Sequence, residues 1–535
     1  MSTPRRSVRP SKIRVNDLVT QTSARNGAGP VVRTKQGAVR GRWSFYGAEF
    51  RGIPYAEAPR GERRFAPPVR KASWGDDGVL DATYFGDAAP QEAPEPPFGK
   101  NLLGTRPSSE DCLNLNVWTP APDRDAGLPV MVWIHGGGYA DESGSDEPFH
   151  GHTFARDGVV LVTINYRLGV LGYLHTAETF DAAAGSGNFG TLDQLAALEW
   201  VQENIAAFGG DPGRVTVFGE SAGGWAVSTL LAAPRARGLF QRGIAQSGAG
   251  DHVLTAEQAQ RITVRYLDLL GVRPGDMDGL RAADTRAVLS AQAELYGEAL
   301  AGGEVTEALM GETAKLLLCL MPVTTGEVVG DLPVNLVSSG NGHDVDLLLG
   351  SNSEEYGLYR LFPGGVFTAE TMLAHAHRDL ADRGLDVAAV EAHYRSRFST
   401  DFAVGEGMET DRFFRLPILD LARAHAPGSA RTFLYELAWS PTDLGACHVM
   451  DVPLVFDRQD TEMARVLVNG DQSKDIAALM HRCWIDFATT GSPDPGGTLG
   501  WPETATDRPR SFVIDEESRL DDVRDAALQG LWGRA

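Results

Sequence analysis

The stretch 215–224 constrains the fold of this chain most, because it combines a strand, a sharp turn and a helix in that order. A short apolar, β-branched run leads into Gly219-Glu-Ser-Ala-Gly223, and after Gly224 the mainly apolar segment 225–233 contains neither Gly nor Pro. Such a turn strains its apex residue and needs small residues two positions away on each side. The pattern predicts that Ser221 is a nucleophile, exposed above the sheet at the positive end of a helix. The alternative is a Gly-rich loop that happens to hold a serine, because G-x-S-x-G alone also occurs by chance.

Strands and helices alternate on both sides of this stretch. Nearly continuous apolar runs predict buried strands at 129–135 and 159–166, and further strands are predicted at 114–118, 242–246, 346–350 and 431–439. Residues 191–208 have apolar positions at helical spacing, with Thr191 and Gln194 as a capping box. This alternation predicts an α/β fold with a large, mostly parallel, twisted central sheet flanked by helices.

The other segments complete the expected organisation. Residues 31–42 are predicted to form a hairpin, whereas 50–59 and 63–68 are interrupted by proline and predicted to be irregular. Two amphipathic segments, about 256–320 and 369–426, are expected to be helical caps over the carboxyl ends of the strands. We therefore expect a single domain over residues 31–535.

The first 30 residues differ in composition from the rest of the chain. They contain Arg5, Arg6, Arg9, Lys12, Arg14 and Arg25 but only one acid, Asp17. The arginine pair suggests a twin-arginine export signal, but no apolar core follows it. A disordered basic tail is the preferred interpretation.

Charge and cysteine content exclude several kinds of partner and cofactor. The net charge of −22 argues against binding to nucleic acid or to anionic membranes, and no apolar run is long enough to span a bilayer. The four cysteines match neither metal-ligand spacing nor a disulfide framework. We expect reduced thiols, a cytoplasmic location, no metal and no cofactor, and a monomer or weak homo-oligomer.

A serine nucleophile requires a base, a group that orients the base, and donors for the oxyanion. Three glycines, 136–138, follow a buried strand, where backbone N–H groups can approach a substrate oxygen closely. The N–H of Ala222, directly after the nucleophile, is the other expected donor. For the base, His448 follows the strand near 431–439 among small neighbours, and for the acid both Glu354 and Glu355 are candidates.

Several segments, taken together, resemble the type B carboxylesterases, the family that includes the cholinesterases. The resemblance covers about 36–512, and its most specific motifs are at 50–57, 110–116, 165–169, 208–212 and 219–223. It implies the α/β-hydrolase fold with helical cap segments over the active site.

The same resemblance implies the roles of individual residues. The family's triad acid corresponds to Glu355 in the segment 350–357, where Tyr356 replaces the usual glycine. The family's histidine corresponds to His448 in 445–453, and its oxyanion donors to Gly137, Gly138 and Ala222.

Supporting residues are implied as well. Arg64 is expected to pair with Glu110, Arg167 with Asp193, and Ser247 with Glu355. Glu220, beside the nucleophile, is expected to tune the local field, with a purely structural role as the alternative. Two departures from the family also matter: no cysteine precedes Cys112 to form the bridge of secreted relatives, and the loop 90–109 lacks the tryptophan that binds choline.

We therefore expect a serine hydrolase that cleaves carboxylic esters through a Ser-Glu-His triad and an acyl-enzyme, with a small-molecule ester as its partner. A first alternative is hydrolysis of carbamates or aryl amides by the same triad. A second, of another class, is a non-catalytic binding protein, although such family members usually lack a triad residue.

Overall fold

The computed structural model describes residues 29–74, 78–92, 107–180, 187–300, 318–326, 328–361, 367–504, 509–521 and 524–533. The predicted basic tail, residues 1–30, lies outside these ranges except for its last two residues. Residues 301–317 of the first expected cap segment also lie outside them.

Eleven of the described strands form one sheet. From one edge to the other they are β16 (Arg519–Leu520), β15 (Phe512–Ile514), β14 (Thr432–Leu437), β13 (Asp346–Asn352), β10 (Arg242–Gln246), β9 (Gly210–Glu220), β7 (Leu128–Ile134), β8 (Val160–Ile164), β6 (Asn114–Thr119), β4 (Gly47–Pro54) and β3 (Arg42–Ser44). The strands from β15 to β8 are parallel, and the pairs at both ends of the sheet are antiparallel. The predicted large, mostly parallel sheet is confirmed.

Two smaller sheets lie outside the large one. The first contains β1 (Val31–Thr34), β2 (Gly37–Arg40) and β5 (Val79–Asp81), and its β1–β2 pair is the predicted hairpin. The second pairs β11 (Leu254–Thr255) with β12 (Val323–Thr324).

The central strands are buried on both faces, as their continuous apolar sequence predicts. In β7, Val130 and Val132 belong to one apolar cluster, whereas Met131 and Trp133, on the opposite face, belong to another. Successive side chains of a strand point to opposite faces, so an uninterrupted apolar run fits a sheet covered by helices on both sides.

Helices cover the sheet and follow most of its strands. They are α1 (His152–Arg156), α2 (Gly169–Tyr173), α3 (Phe189–Asn204), α4 (Ala222–Ala232), α5 (Ala256–Leu270), α6 (Met277–Ala282), α7 (Thr285–Leu300), α8 (Pro333–Ser338), α9 (Ala369–Asp382), α10 (Val387–Arg395), α11 (Asp401–Thr410), α12 (Leu416–His425), α13 (Asp451–Val455), α14 (Glu462–Leu467), α15 (Lys474–Thr490) and α16 (Arg524–Leu531). A π-helical turn, Asp411–Arg415, joins α11 to α12.

Two local predictions were wrong. Helix α3 begins at Phe189 after Asn188, so Thr191 lies inside the helix and forms no capping box with Gln194. Residues 47–54 form strand β4 with an irregularity in its pairing between Phe50 and Ile53, which accommodates Gly52, while Pro54 is the last residue of the strand and pairs with Asn114. The sheet also continues beyond β14 into β15 and β16, whose short sequences carry little strand signal.

The register of the parallel strands brings their carboxyl ends together. Gly219 of β9 pairs with Ile134 of β7, while Gln246 of β10 pairs with Glu220 on one side and Gly350 on the other. The loops that follow these strands therefore meet at one edge of the sheet, where open α/β sheets bind their ligands.

Candidate active site

Ser221 occupies the sharp turn between β9 and α4. Its backbone has φ 56° and ψ −121°, which a side-chain-bearing residue adopts only when the surroundings enforce it. A Cβ atom added at Gly219 would lie 2.6 Å from the carbonyl oxygen of Ile134, and one at Gly223 would overlap that same oxygen. The two glycines are therefore required by close packing against β7, and this packing fixes the position of Ser221.

Three side chains from separate loops meet at this turn. His448 Nε2 lies 2.9 Å from Ser221 Oγ, and His448 Nδ1 lies 2.8 Å from Glu355 Oε2. All three residues are buried, Glu355 completely. The geometry fits an imidazole that donates Nδ1–H to the carboxylate and accepts the serine proton at Nε2.

Neighbouring donors hold the Glu355 carboxylate. The Ser247 hydroxyl and the Asn352 N–H each donate to Oε1 at 2.7 Å, so the hydrogen bond expected for Ser247 is present. Asn352 also donates through its side chain to the carbonyl of Cys447, 2.8 Å away, which ties the acid's strand to the histidine's loop. Asn352 was not among the predicted site residues, because β13 extends two residues beyond its apolar run.

Tyr356, which stands where glycine was expected, does not shift the register of the acid. It lies in a short 3₁₀ helix, Glu355–Leu361, and has no positive φ, so its backbone does not require glycine. Its buried ring packs against Tyr359, 5.0 Å away between centroids, and its hydroxyl donates to Glu409 at 3.3 Å. The choice between the two candidate acids therefore falls on Glu355 for contact with His448.

Glu354, the other candidate acid, contacts a different part of the histidine's loop. Its carboxyl accepts from the N–H of Ala446 at 2.9 Å, and its own N–H donates to the carbonyl of Ala446 at 3.0 Å. Gly445 has φ 74°, and a Cβ atom there would overlap the Glu354 carboxyl. Glu354 thus supports the loop that carries His448.

The glycines after β7 form a tight loop above the nucleophile. Gly137 and Gly138 have φ of 78° and 58°, and the carbonyl of Gly137 accepts from the N–H groups of Ala140 and Asp141 at 2.8 and 3.1 Å. A Cβ atom at Gly137 would overlap Asp141. Within the described part of the chain, no hydrogen bond occupies the N–H of Gly137, Gly138 or Ala222. Three donors are therefore available beside Ser221.

His135, which precedes the glycines, has a scaffolding role. Burial lowers the pKa of His135 to about 3, so its imidazole is neutral. Its ring stacks on Tyr166 with centroids 4.5 Å apart, and the Tyr166 hydroxyl donates to the carbonyl of His135 at 2.9 Å.

Two further buried acids lie close to the histidine. Glu220 Oε1 is 3.3 Å from His448 Nε2, and burial, together with the charges of Asp451, Glu142 and Glu355, raises the pKa of Glu220 well above its usual value. This shift favours its neutral form.

Asp451 accepts from Gln246 Nε2 at 2.8 Å and from the Tyr435 hydroxyl at 3.1 Å. Burial raises its pKa to about 6. Asp451 was not predicted to have a role, although it lies within the motif 445–453 that contains His448.

Aromatic side chains from the second expected cap segment and from the 3₁₀ helix Glu355–Leu361 line the site. Phe414, in the π-helical turn, lies 4.8 Å from the His448 ring, and Tyr359 lies 6.2 Å from it. Phe413 packs at 5.7 Å against Trp225, one turn beyond Ser221. Helical spacing alone could not predict that Phe413 and Phe414 face the site, because a π-helical turn changes which residues of the segment lie on that side.

The two expected ion pairs are present. Arg64 lies 3.2 Å from Glu110, and the fully buried pair of Arg167 and Asp193 has a separation of 2.7 Å. Among the described residues, no cluster of His, Cys, Asp or Glu is arranged to hold a metal ion. No helix in the same ranges is both long and apolar enough to cross a membrane.

Comparisons with known proteins give a consistent result. The model of the carboxylesterase family matches residues 28–529. The para-nitrobenzyl esterase of Bacillus subtilis (strain 168) is 34% identical over 92% of this chain and 96% of its own length. Phenmedipham hydrolase of Pseudarthrobacter oxydans is 33% identical over 88% of this chain and 91% of its own length. A crystal structure of a Geobacillus stearothermophilus carboxylesterase superposes with a TM-score of 0.81 at 34% identity, covering 94% of this chain and 99% of that one.

Proposed function

The chain belongs to the carboxylesterase family and hydrolyses carboxylic esters, and on this premise we propose that Ser221, His448 and Glu355 are its catalytic triad. The observation that carries the proposal is the continuous chain of hydrogen bonds from Ser221 Oγ through His448 to Glu355, with distances of 2.9 and 2.8 Å. Its α/β-hydrolase fold provides the strained turn that such a nucleophile requires.

The reaction starts when Ser221 Oγ attacks the ester carbonyl carbon. His448 Nε2 takes the hydroxyl proton, and the carbonyl oxygen becomes an oxyanion that accepts hydrogen bonds from the N–H groups of Gly137, Gly138 and Ala222. When the tetrahedral intermediate collapses, the bond to the alcohol breaks and His448 donates its proton to the leaving oxygen. Water then attacks the acyl-enzyme in the same way, which releases the acid and restores Ser221.

Glu220 influences this reaction through its protonation state. An ionised carboxylate 3.3 Å from His448 Nε2 can only accept, so it would stabilise a proton on that nitrogen before Ser221 attacks, whereas a neutral carboxyl has no charge to stabilise it. Glu220→Gln, which is always neutral, should therefore lower kcat by less than about tenfold, the equivalent of one ordinary hydrogen bond. A loss as large as that of Ser221→Ala would show that the site requires a charge there.

The proposal is tested by comparing Ser221→Ala with Ser228→Ala in hydrolysis of a p-nitrophenyl ester. Ser221→Ala should lose roughly 10⁴- to 10⁶-fold in kcat. Ser228 lies in the same helix and is also buried, but its hydroxyl donates to the carbonyl of Gly224. Ser228→Ala is therefore a matched control, and its kcat should remain within about twofold of the wild type. A Ser221→Ala protein that also keeps a kcat close to the wild type would refute the proposal.

The second candidate is hydrolysis of carbamates or aryl amides through the same three residues. Its specific support is the relative named phenmedipham hydrolase, which matches over most of both chains. A panel with one ester, one carbamate, one anilide and phenmedipham itself separates the candidates. An anilide replaces the leaving alcohol by an amine, and a carbamate also changes the group that becomes bound to Ser221. A kcat/KM for a carbamate or anilide that exceeds the ester value would favour this second candidate. The non-catalytic alternative has no support, because the relatives are named as esterases or hydrolases.

We also propose a cytoplasmic location and a monomeric or weakly associating state. The four cysteines are buried, free thiols, which fits a reducing compartment. Cell fractionation tests the location, and sedimentation velocity over a range of protein concentrations tests the association state.

A further inference from the structure

Glu142 closes the loop that contains Gly137 and Gly138, and its backbone is unusual. It has φ 72°, a left-handed conformation that is costly for a residue with a long side chain. Such residues often mark functional sites, because the surrounding structure must hold them there. This conformation directs the Glu142 carboxyl back across the loop, where its Oε2 accepts a hydrogen bond from the N–H of Gly136 at 3.0 Å.

This hydrogen bond joins the two ends of the oxyanion loop, residues 136–142. Inside the loop, the carbonyl of Gly137 already accepts from the N–H groups of Ala140 and Asp141. At its end, the carbonyl of Glu142 accepts from Gln91 Nε2 at 2.9 Å, which anchors Glu142 to a separate segment. The peptide that joins His135 to Gly136, at the start of the loop, is thus held by the Glu142 carboxyl at its end.

Gly136 is also confined on its other side. A Cβ atom added at Gly136 would lie 3.2 Å from Glu220 Oε2 and 3.3 Å from the Cβ of Ser221. Gly136 is therefore placed between the carboxyl groups of Glu142 and Glu220, next to the nucleophile. A small rotation of its peptide would change the direction of the N–H groups that follow it.

The charge of Glu142 matters, because a carboxylate in this loop would repel a developing oxyanion. Part of the Glu142 surface is exposed, but burial together with the charges of Asp141 and Asp146 raises the pKa of Glu142 well above its usual value. The hydrogen bond from Gly136 acts in the opposite direction and is the smaller influence. A neutral carboxyl can still accept this hydrogen bond through one oxygen.

We propose that Glu142 is a positioning residue, whose carboxyl oxygen holds the Gly136 N–H and so aims the N–H groups of Gly137 and Gly138 at the oxyanion. This inference rests on the proposed function, because it requires Ser221 as the nucleophile of this site. The competing interpretation is that Glu142 only occupies a turn, in which case glycine should serve equally well.

The test compares Glu142→Gly, Glu142→Asn and Glu142→Gln. Glycine and asparagine both tolerate the left-handed backbone, so each should fold, but neither carries an acceptor that reaches Gly136. Glutamine keeps an oxygen acceptor of the same reach and no charge. Asn469→Gly is the matched control, because Asn469 has φ 53° on the exposed surface of the described chain.

Three measurements are made on each variant: melting temperature, kcat and KM on a p-nitrophenyl ester, and inhibition by a trifluoromethyl ketone that forms a tetrahedral adduct. Glu142→Gly and Glu142→Asn should lose about 10- to 100-fold in kcat while KM changes less than about threefold, because misaimed donors weaken the transition state more than the ground state. The inhibition constant should rise in parallel with the loss of kcat. Glu142→Gln should recover most of the loss, and melting temperatures should stay within a few degrees of the wild type.

Two results would overturn the inference. The first is a kcat for Glu142→Gly and Glu142→Asn within about twofold of the wild type, which would make Glu142 a turn residue only. The second is a Glu142→Gln protein as slow as Glu142→Gly, which would show that an acceptor without charge is insufficient. These results differ from a failure of the proposed function. In that case a fluorophosphonate would label a residue other than Ser221 in the wild type itself.

Discussion

Glu355→Gln is the substitution whose outcome follows most directly from the hydrogen bonds of the site. Oε1 of Glu355 accepts from the N–H of Asn352 and the hydroxyl of Ser247, while Oε2 faces His448 Nδ1 at 2.8 Å. The N–H of Asn352 can only donate, so the position of Oε1 must remain an oxygen. In Glu355→Gln the amide NH₂ therefore takes the position of Oε2 and points at His448.

An NH₂ group cannot accept the proton that Nδ1 of His448 carries. The imidazole is then stable with its proton on Nε2, and Nε2 can no longer accept the proton of Ser221. The charge that stabilises the imidazolium in the transition state is also lost. A triad acid replaced by its amide loses about 10⁴-fold in kcat in a well-studied protease, so we expect a loss of roughly 10³- to 10⁴-fold here. The glutamine keeps its volume and both bonds at Oε1, so KM and melting temperature should change little.

The adjacent Glu354 provides the matched control for this experiment. Its carboxyl accepts from the N–H of Ala446, and a glutamine can still accept that bond through its oxygen. Steady-state hydrolysis of a p-nitrophenyl ester should show less than about a tenfold loss in kcat for Glu354→Gln. The reasoning is refuted if the two variants are reversed, or if Glu355→Gln keeps kcat within about tenfold of the wild type.

Three further predictions concern stability. The pKa of Asp451 rises from 3.8 to about 6 on folding, so the folded protein binds this proton more tightly than the unfolded chain does. The resulting stabilisation of the folded state is fully present below pH 3.8 and is lost as the pH rises to about 6. Relative to Asp451→Asn, the wild type should therefore lose about 3 kcal/mol of unfolding free energy between about pH 4 and pH 7 in urea titrations, whereas parallel curves would contradict the assignment. Tyr394→Phe removes a buried hydroxyl that donates to Asp411 at 2.6 Å and accepts from Trp532 at 2.9 Å, and it should cost about 2–3 kcal/mol in the same assay. Tyr84→Phe, at a tyrosine that is 78% exposed, should cost less than about 0.5 kcal/mol, and an equal cost for both would be inconsistent with the buried contact. Deletion of residues 1–28 should leave activity and melting temperature nearly unchanged, because that segment has too little apolar content to pack, and a fall of many degrees would refute this.

The features of the fold and of the site that depend on one local sequence pattern could be predicted from the sequence. Continuous apolar runs predicted the central parallel strands, because burial on both faces leaves no polar position in the run. The spacing of Gly219 and Gly223 about Ser221 predicted the strained turn, because the close approach of β7 excludes any side chain at these two positions.

The parts that were missed depend on contacts between distant segments. Asn352 holds Glu355 only because β13 continues past its apolar run. Glu142 was missed because its positive φ and its hydrogen bond to Gly136 are visible only in the folded structure. In the sequence it is simply an acidic residue in a loop. Phe413 and Phe414 face the site through a π-helical turn, whereas their segment was predicted to be an ordinary amphipathic helix.

The central claim is that Ser221 is the nucleophile of an ester hydrolase, and covalent trapping tests it most directly. The wild type is incubated with a fluorophosphonate, and the adduct is counted by intact mass and located by peptide mapping. We predict one adduct per chain, on Ser221, with loss of esterase activity in proportion to labelling and no adduct on Ser221→Ala. An adduct on another serine that abolishes activity, or full esterase activity after complete labelling of Ser221, would contradict the account.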